Sequence, residues 1–304
     1  MTHLVQVFSH NIIPIILVAG TGFALQRAFK MDARPLSITV FYILTPALVF
    51  NLLVKSTIPS DGAIRLTWVA SLVILSLVIL SWLAGRLLGL NPKSSAALIL
   101  GSSFMNAGNY GLSLNQIALG SIGLAWASIY FIVNSIWTNS LGVVVAQAGR
   151  KSVLRALLGL ARVPSVYAAL LAFGVRWLRF DLSATLMEPI EMLSTAAVPV
   201  MLLVLGIQIA KARMPERWDM LAVISAFQLL AAPLIALLLA RLVHLPSPGT
   251  EVAVIESAMP TAVLSMIIAL EFDTESSLVT SAVVVTTLLS PLTITPILVF
   301  LGVG

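Results

Sequence analysis

The sequence contains no cysteine, which removes disulfides, thiolate metal sites and cysteine nucleophiles. Histidine is nearly as scarce, and His3, His10 and His244 all lie outside the centres of the apolar runs. No aspartate lies deep in such a run either, so neither a Ser–His–Asp arrangement nor a metal cluster is expected. Charge is the third shortage: 10% of residues are Asp, Glu, Lys or Arg, against roughly 25% in soluble domains. The composition is instead 59% hydrophobic, with a mean hydropathy of +1.06. An all-α integral membrane protein surrounded by the lipid bilayer is expected, with no enzyme activity and no cofactor. The net charge of +5 reads as membrane topology rather than nucleic-acid binding. The first apolar run lacks a small-residue cleavage site and further runs follow, so it is expected to stay as a span.

Stretches of about 20 apolar residues number ten, at 4–25, 35–54, 64–89, 94–119, 121–147, 153–177, 184–210, 217–243, 249–271 and 276–302. The connections after spans one, three, five and seven carry twelve basic residues: Arg27, Lys30, Arg34, Arg86, Lys93, Arg150, Lys151, Arg155, Arg162, Lys211, Arg213 and Arg217. The opposite side carries Lys55, Arg65, Arg176, Arg179 and Arg241. Positive charge marks the cytoplasmic side, so both termini are expected to face outward from the plasma (inner) membrane.

The chain also repeats. Asn11-Ile-Ile-Pro14 opens span one and Arg162-Val-Pro164 opens span six, while Pro46 and Pro199 lie inside spans two and seven. Pro46 and Pro199 differ by 153 positions and Pro92 and Pro246 by 154, which sets Asn106 opposite Pro260. Five spans per half is an odd number, so residues 1–150 and 151–304 should enter the membrane in opposite orientations. That is an inverted repeat.

Each half carries one span with helix breakers inside it: Asn106-Ala-Gly108-Asn109-Tyr-Gly111 in span four and Glu256-Ser-Ala-Met259-Pro260-Thr261 in span nine. Proline lacks a donor and disfavours helix at the residue before it, so both spans should break. Half-helices starting near Asn109 and Thr261 would offer free N–H groups and positive dipole ends to an anion, implying a carboxylate substrate. The alternative is that Gly108, Gly111 and Ser113 merely allow close helix packing. Glu256 is the carboxyl group placed deepest in a span, a functional-site hypothesis by default. It could bind a coupling cation such as Na+, carry a proton, stay protonated as a structural donor, or touch substrate. The other acids, Glu188, Glu191, Glu216, Glu271, Asp273 and Glu275, fall at span ends. Asn134, Asn139, Gln208, Gln228 and Ser265 read mainly as interhelical hydrogen-bonding groups, with Asn51 ranked first among the polar residues as a substrate contact.

Taken together these motifs resemble a bacterial member of the auxin efflux carrier family, within the bile acid and arsenite related transporter superfamily. The family's Asn-x-Gly-x-x-Gly-Leu-Pro-Leu pattern is matched by Asn106, Gly108, Gly111, Leu112 and Leu114, with Ser113 in place of the proline. Pro46-Ala47-Leu48-Val49-Phe50, Leu205-Gly206 and Met259-Pro260 match the motifs of spans two, seven and nine. The resemblance implies crossed, broken helices four and nine. It also implies a scaffold of spans one, two, six and seven, facing a transport domain of spans three to five and eight to ten. Elevator-type transport of a small organic anion follows, with a homodimer through the scaffold as one arrangement. By carry-over, Met105, Asn106, Gly108, Asn109, Gly111, Met259, Pro260 and Thr261 form the crossover site, with Val49, Phe50 and Asn51 contributing from the scaffold. An uncoupled uniporter or channel stays open as an alternative; a polytopic membrane enzyme is a distant one.

Overall fold

A computed structural model describes residues 2–147, 163–211 and 217–303. Arg150, Lys151, Arg155, Arg162, Arg213 and Glu216, together with the start of the sixth expected span, lie outside these residues. Among the described residues the chain is helical, and seven helices are long and apolar enough to cross a membrane. These are α1 (Leu4–Phe29), α2 (Ala33–Val54), α3 (Ser60–Leu87), α5 (Ala107–Ala146), α7 (Ala184–Ala210), α8 (Trp218–Leu242) and α11 (Ser276–Phe300). Shorter helices are α4 (Pro92–Ser103), α6 (Pro164–Trp177), α9 (Gly249–Ser257) and α10 (Val263–Glu271). At about 1.5 Å per residue, the 40 residues of α5 are too long for one straight crossing of a roughly 30 Å hydrocarbon layer. Gly120 divides the helix, with φ 66° and ψ −156°.

Pro14 does not open the first span as its motif suggested: α1 runs through it. A wide turn at Phe8–Ile12, closed by Ile13 N–H donating to Phe8 O, comes just before the proline. The same device precedes Pro46, where Thr45 N–H reaches Val40 O, and Pro233, where Ala232 N–H reaches Phe227 O. A turn with one extra residue makes room for the proline ring and tolerates its missing donor. At Pro92 the ring instead occupies the first helical turn, and Asn91 Oδ1 caps the helix by accepting Ser94 N–H at 2.9 Å.

Two groups of helices pack internally. α7 lies along α1 and α2, and α6 packs on α2; α3 packs with α4, α5 and α8, α9 with α5 and α8, and α11 with α4, α8 and α10, while α1 also meets α11 and α7 meets the start of α5. The α1–α7 crossing is set by glycine on both sides. A Cβ at Gly206 would stand 1.7 Å from Ala19 O, and one at Gly22 would stand 2.1 Å from Leu203 O. In the other group the Trp126 ring lies between Gly62 and Gly249, leaving 2.6 and 2.7 Å to a hypothetical Cβ.

Polar contacts sort the connections into two ends. At one end Lys211 pairs with Asp32 and Lys93 with Asp273, each at 2.6 Å, and Arg217 approaches Glu275 at 3.8 Å. Hydrogen bonds from these lysines hold the Asp32 and Asp273 carboxyls below the usual carboxylate range. At the other end Lys55 pairs with Glu191, Arg65 donates to Val243 O and His244 O, and Arg176 donates to Leu53 O. These pairs are exposed and screened by salt; burial of small-residue crossings is the firmer support.

The glycine crossing gives the first prediction. Gly206→Val forces α1 and α7 apart, an overpacking of the kind that costs about 1–3 kcal/mol. The thermal midpoint in detergent should fall, while Gly20→Val, at a glycine with open space around it, should leave it unchanged. Equal midpoints for the two variants would contradict the crossing.

Candidate functional site

Where α4 ends at Ser103 and α9 ends at Ser257, the chain leaves helical geometry, resuming at Ala107 and Val263. The two gaps meet. Met105 and Thr261 form an isolated antiparallel bridge, flanked by Asn106 N–H donating to Pro260 O at 2.7 Å and Ala262 N–H donating to Phe104 O at 2.9 Å. Side chains farther along α5 and on α8 and α11 bond further groups of the two gaps. Asn134 of α5 grips the Met105 backbone, its Nδ2 donating to Met105 O at 2.9 Å and its Oδ1 accepting Met105 N–H at 3.3 Å. Thr286 Oγ1 of α11 accepts Thr261 N–H at 3.0 Å, Gln228 Nε2 of α8 donates to Met259 O at 2.8 Å, and Thr261 Oγ1 donates to Gly101 O at 2.5 Å. Pro260 has no donor to satisfy.

Asn106 sits at the start of α5, its carbonyl accepting from Tyr110 and Gly111 N–H at 3.3 and 3.0 Å. Its Nδ2 is buried and has no partner among the described residues. Gly108 and Asn109 are half-buried in the first turns of α5. The helix therefore resumes earlier than the Asn-Gly composition suggested, at Ala107 rather than near Asn109, and its partner resumes at Val263 rather than Thr261. The break is positioned by the pairing of Met105 with Thr261, not by the glycines. Ser113, where the resembled pattern has proline, donates its N–H to Tyr110 O and its Oγ to Asn109 O; a proline would lack the first of these bonds.

Gly111 has a different job. A Cβ there would stand 2.1 Å from Glu256 Oε2, so the glycine lets the Glu256 carboxyl lie against the α5 backbone. Glu256 is fully buried, and its Oε1 accepts from Asn115 Nδ2 at 2.9 Å; the same Nδ2 donates to Gly111 O at 2.9 Å. Glu256 Oε2 and Asn115 Oδ1 have no partner among the described residues. None of the ion pairs found there involves Glu256. Next to it, Ser257 Oγ and Tyr130 OH share a hydrogen bond of 2.8 Å. A buried carboxyl group without a counter-charge is costly as an anion, so this arrangement suits one that holds a proton or a small cation. Glu256 and Asn115 are the oxygen donors available to such an ion; no cluster of three His, Cys, Asp or Glu suited to a metal occurs among the described residues.

The structure thus brings Met105, Asn106, Met259, Pro260 and Thr261 together, and gathers Gly111 with Glu256 close by. Gly108 lies against Phe131 instead, 3.0 Å from a hypothetical Cβ. On α2, Val49 is buried and Phe50 half-buried, while Asn51 Nδ2 donates to Ser194 Oγ of α7 at 3.2 Å. α7 in turn packs on Ala107–Leu112. Asn139 Nδ2 donates to Ser135 O one turn back, and Gln208 Oε1 and Ser265 Oγ have no partner among the described residues. Three important side chains were not singled out by the sequence: Asn115, Tyr130 and Thr286. Asn115 had a usable signal, standing four residues after Gly111 and therefore on the same helix face.

Comparison with known proteins finds membrane transporters. The model of the membrane transport protein family matches residues 7–298. An uncharacterized transporter of Methanothermobacter thermautotrophicus is 25% identical over 288 residues, covering 93% of this chain and 94% of the relative. An uncharacterized transporter of Methanocaldococcus jannaschii is 25% identical over 297 residues, with 93% and 94% covered. A chain built of membrane-spanning helices around paired breaks, matched by this family over nearly its whole length, belongs to the membrane transport protein family, that of the auxin efflux carriers, and is a transporter rather than an enzyme.

Proposed function

We propose that this protein is a secondary transporter of a small organic anion, working by an elevator-type movement, with substrate held where the two helix breaks meet. The observation that carries this reading is the paired break itself. It leaves the first amides of α5 and α10 without intrahelical partners beside the unpaired, buried Nδ2 of Asn106. Donors and two positive helix ends favour a carboxylate. In this reading the chain crosses the plasma membrane ten times as two inverted five-span repeats. Span four is α4 with the part of α5 before Gly120, and span nine is α9 with α10. Both termini face outward.

The scaffold would be α1, α2, α6 and α7, and the moving domain α3–α5 with α8–α11. The support is the denser packing within each group; between them α1 meets α11 and α5, and α2, α6 and α7 meet α5. In addition, the interhelical hydrogen bonds and ion pairs named above each join members of one group, as Asn51 with Ser194 and Lys93 with Asp273 do. Glu256 would carry the coupling proton or sodium ion, because its carboxyl group has an amide donor but no ion-pair partner among the described residues.

Uptake into proteoliposomes, with a panel of mono- and dicarboxylates and imposed proton or sodium gradients, tests the reading. Asn106→Ala removes a hydrogen bond to a charged group, worth about 1.5–3 kcal/mol, and should reduce transport of the best substrate by roughly ten- to a hundredfold. Pro260→Ala should impair it too. Unchanged transport in both variants would place the substrate elsewhere.

Glu256→Gln should abolish accumulation driven by the coupling gradient while leaving downhill exchange measurable; full gradient-driven accumulation would remove Glu256 as the coupling group. If the wild type responds to neither gradient, the protein is an uncoupled uniporter.

The absence of native cysteine makes orientation directly testable. A thiol reagent that does not cross membranes should label Asp181→Cys in intact cells and Asp273→Cys only after permeabilisation. The reverse pattern would invert the assigned topology.

A further inference from the structure

Away from the helix breaks, a cleft of about 480 Å³ opens where the ends of α2, α6 and α7 converge. Its polar wall is Lys55, Arg176, Arg179 and Asp181, and Phe180 and Met187 are among its apolar lining residues. The charges do not cancel. Lys55 is paired with Glu191 and Arg176 reaches only a backbone carbonyl, Leu53 O, at 3.4 Å. With Asp181 set against the two arginines, the cleft keeps a surplus of one positive charge, the complement of a single phosphodiester.

The surroundings identify the kind of anion. Trp177 at the end of α6, and Leu178 and Phe180 just after it, are 88%, 79% and 63% exposed. Large apolar side chains clustered on a turn between helices would be costly in water, but they suit the boundary of headgroups and acyl chains, where aromatic residues anchor membrane proteins. A freely dissolved anion needs only the arginines. A phospholipid uses both features, its phosphate at Arg176 and Arg179 and its acyl chains along the exposed apolar turn. Basic pockets between membrane helices on the cytoplasmic side hold anionic headgroups; this cleft presents the same chemistry at the end that the proposed topology places outward.

We propose that this cleft binds the headgroup of an anionic phospholipid, with Arg176 and Arg179 holding the phosphate and Asp181 limiting the affinity by repulsion. The site is separate from the substrate site and does not depend on which anion is transported. A lipid seated there would join α2 to the α6–α7 turn from the bilayer side.

Native mass spectrometry of the full chain in detergent, titrated with phosphatidylglycerol or phosphatidylcholine, tests the assignment. Phosphatidylglycerol should bind at least tenfold more tightly, and the double variant Arg176→Gln/Arg179→Gln should reduce that preference to near parity. Asp181→Asn should tighten phosphatidylglycerol binding severalfold. Because loss of the Arg176 bond to Leu53 could loosen the fold, Arg179→Gln alone serves as the second variant, with an expected loss of at least threefold. Equal binding of the two lipids, or undiminished preference in Arg179→Gln, overturns the proposal. Displacement of phosphatidylglycerol by millimolar inorganic phosphate also overturns it, since that result assigns the cleft to a free anion.

Discussion

An unpaired peptide group in an apolar medium costs several kcal/mol, and the architecture around Met105 and Thr261 follows from that cost. Two interrupted helices, each with backbone groups that no longer bond within their own segment, would both be unstable alone. Set against each other they exchange the bonds they have lost, Asn106 to Pro260 and Ala262 to Phe104. What they cannot supply comes from Asn134, Gln228 and Thr286. Two further helices, α8 and α11, and the part of α5 beyond Gly120 are thereby pinned to the bridge. Asn134 acts here as a peptide mimic, bonding both the N–H and the O of Met105, while Gln228 supplies a donor to Met259 O.

The same cost makes the exceptions informative. While these backbone groups find partners, side-chain atoms close by do not: Asn106 Nδ2, Asn115 Oδ1 and Glu256 Oε2 are buried and unpaired among the described residues. Unpaired buried side-chain atoms also occur elsewhere, at Asn11, Ser165 and Gln208 among others, but these three lie beside the paired breaks. Gly111 belongs to this logic. Its missing side chain brings the Glu256 carboxyl onto the α5 backbone, tying the ionisable group of one break to the helix that starts at the other.

Much of this was legible in the sequence because helix interruption has a local cause. Pro260 and the Asn106–Gly111 cluster mark the breaks from composition alone, and the offset between Pro92 and Pro246 pairs them. The positions of the breaks were less legible. Gly111 reads as a helix breaker, yet it sits within a helix because its purpose is to accommodate Glu256, a contact across 145 positions that no local pattern reveals. Pro14 reads as a helix start for a similar reason: the sequence carries the proline, but the wide turn at Phe8–Ile12 that absorbs it is a choice of backbone geometry. Asn115 bonds its own helix at Gly111 O as Asn139 does at Ser135 O, and its further hydrogen bond to Glu256, a contact across 141 positions, is what sets it apart.

The division of polar contacts bears on how such a molecule could move. An interface that slides must be broken and remade without stranding donors or acceptors, since in lipid each stranded group is costly. Contacts made by side-chain packing meet that condition; hydrogen-bonded ones do not. The bridge at Met105, with its ring of side-chain hydrogen-bond partners, is by this criterion built to stay closed. α7 meets the first turns of α5 by packing, beside the unpaired Asn106. On the proposed reading the substrate anion would be held by groups that travel with the bridge, and the surface it slides along would give up packing contacts rather than hydrogen bonds. Movement would then leave the pairing of the broken backbone intact.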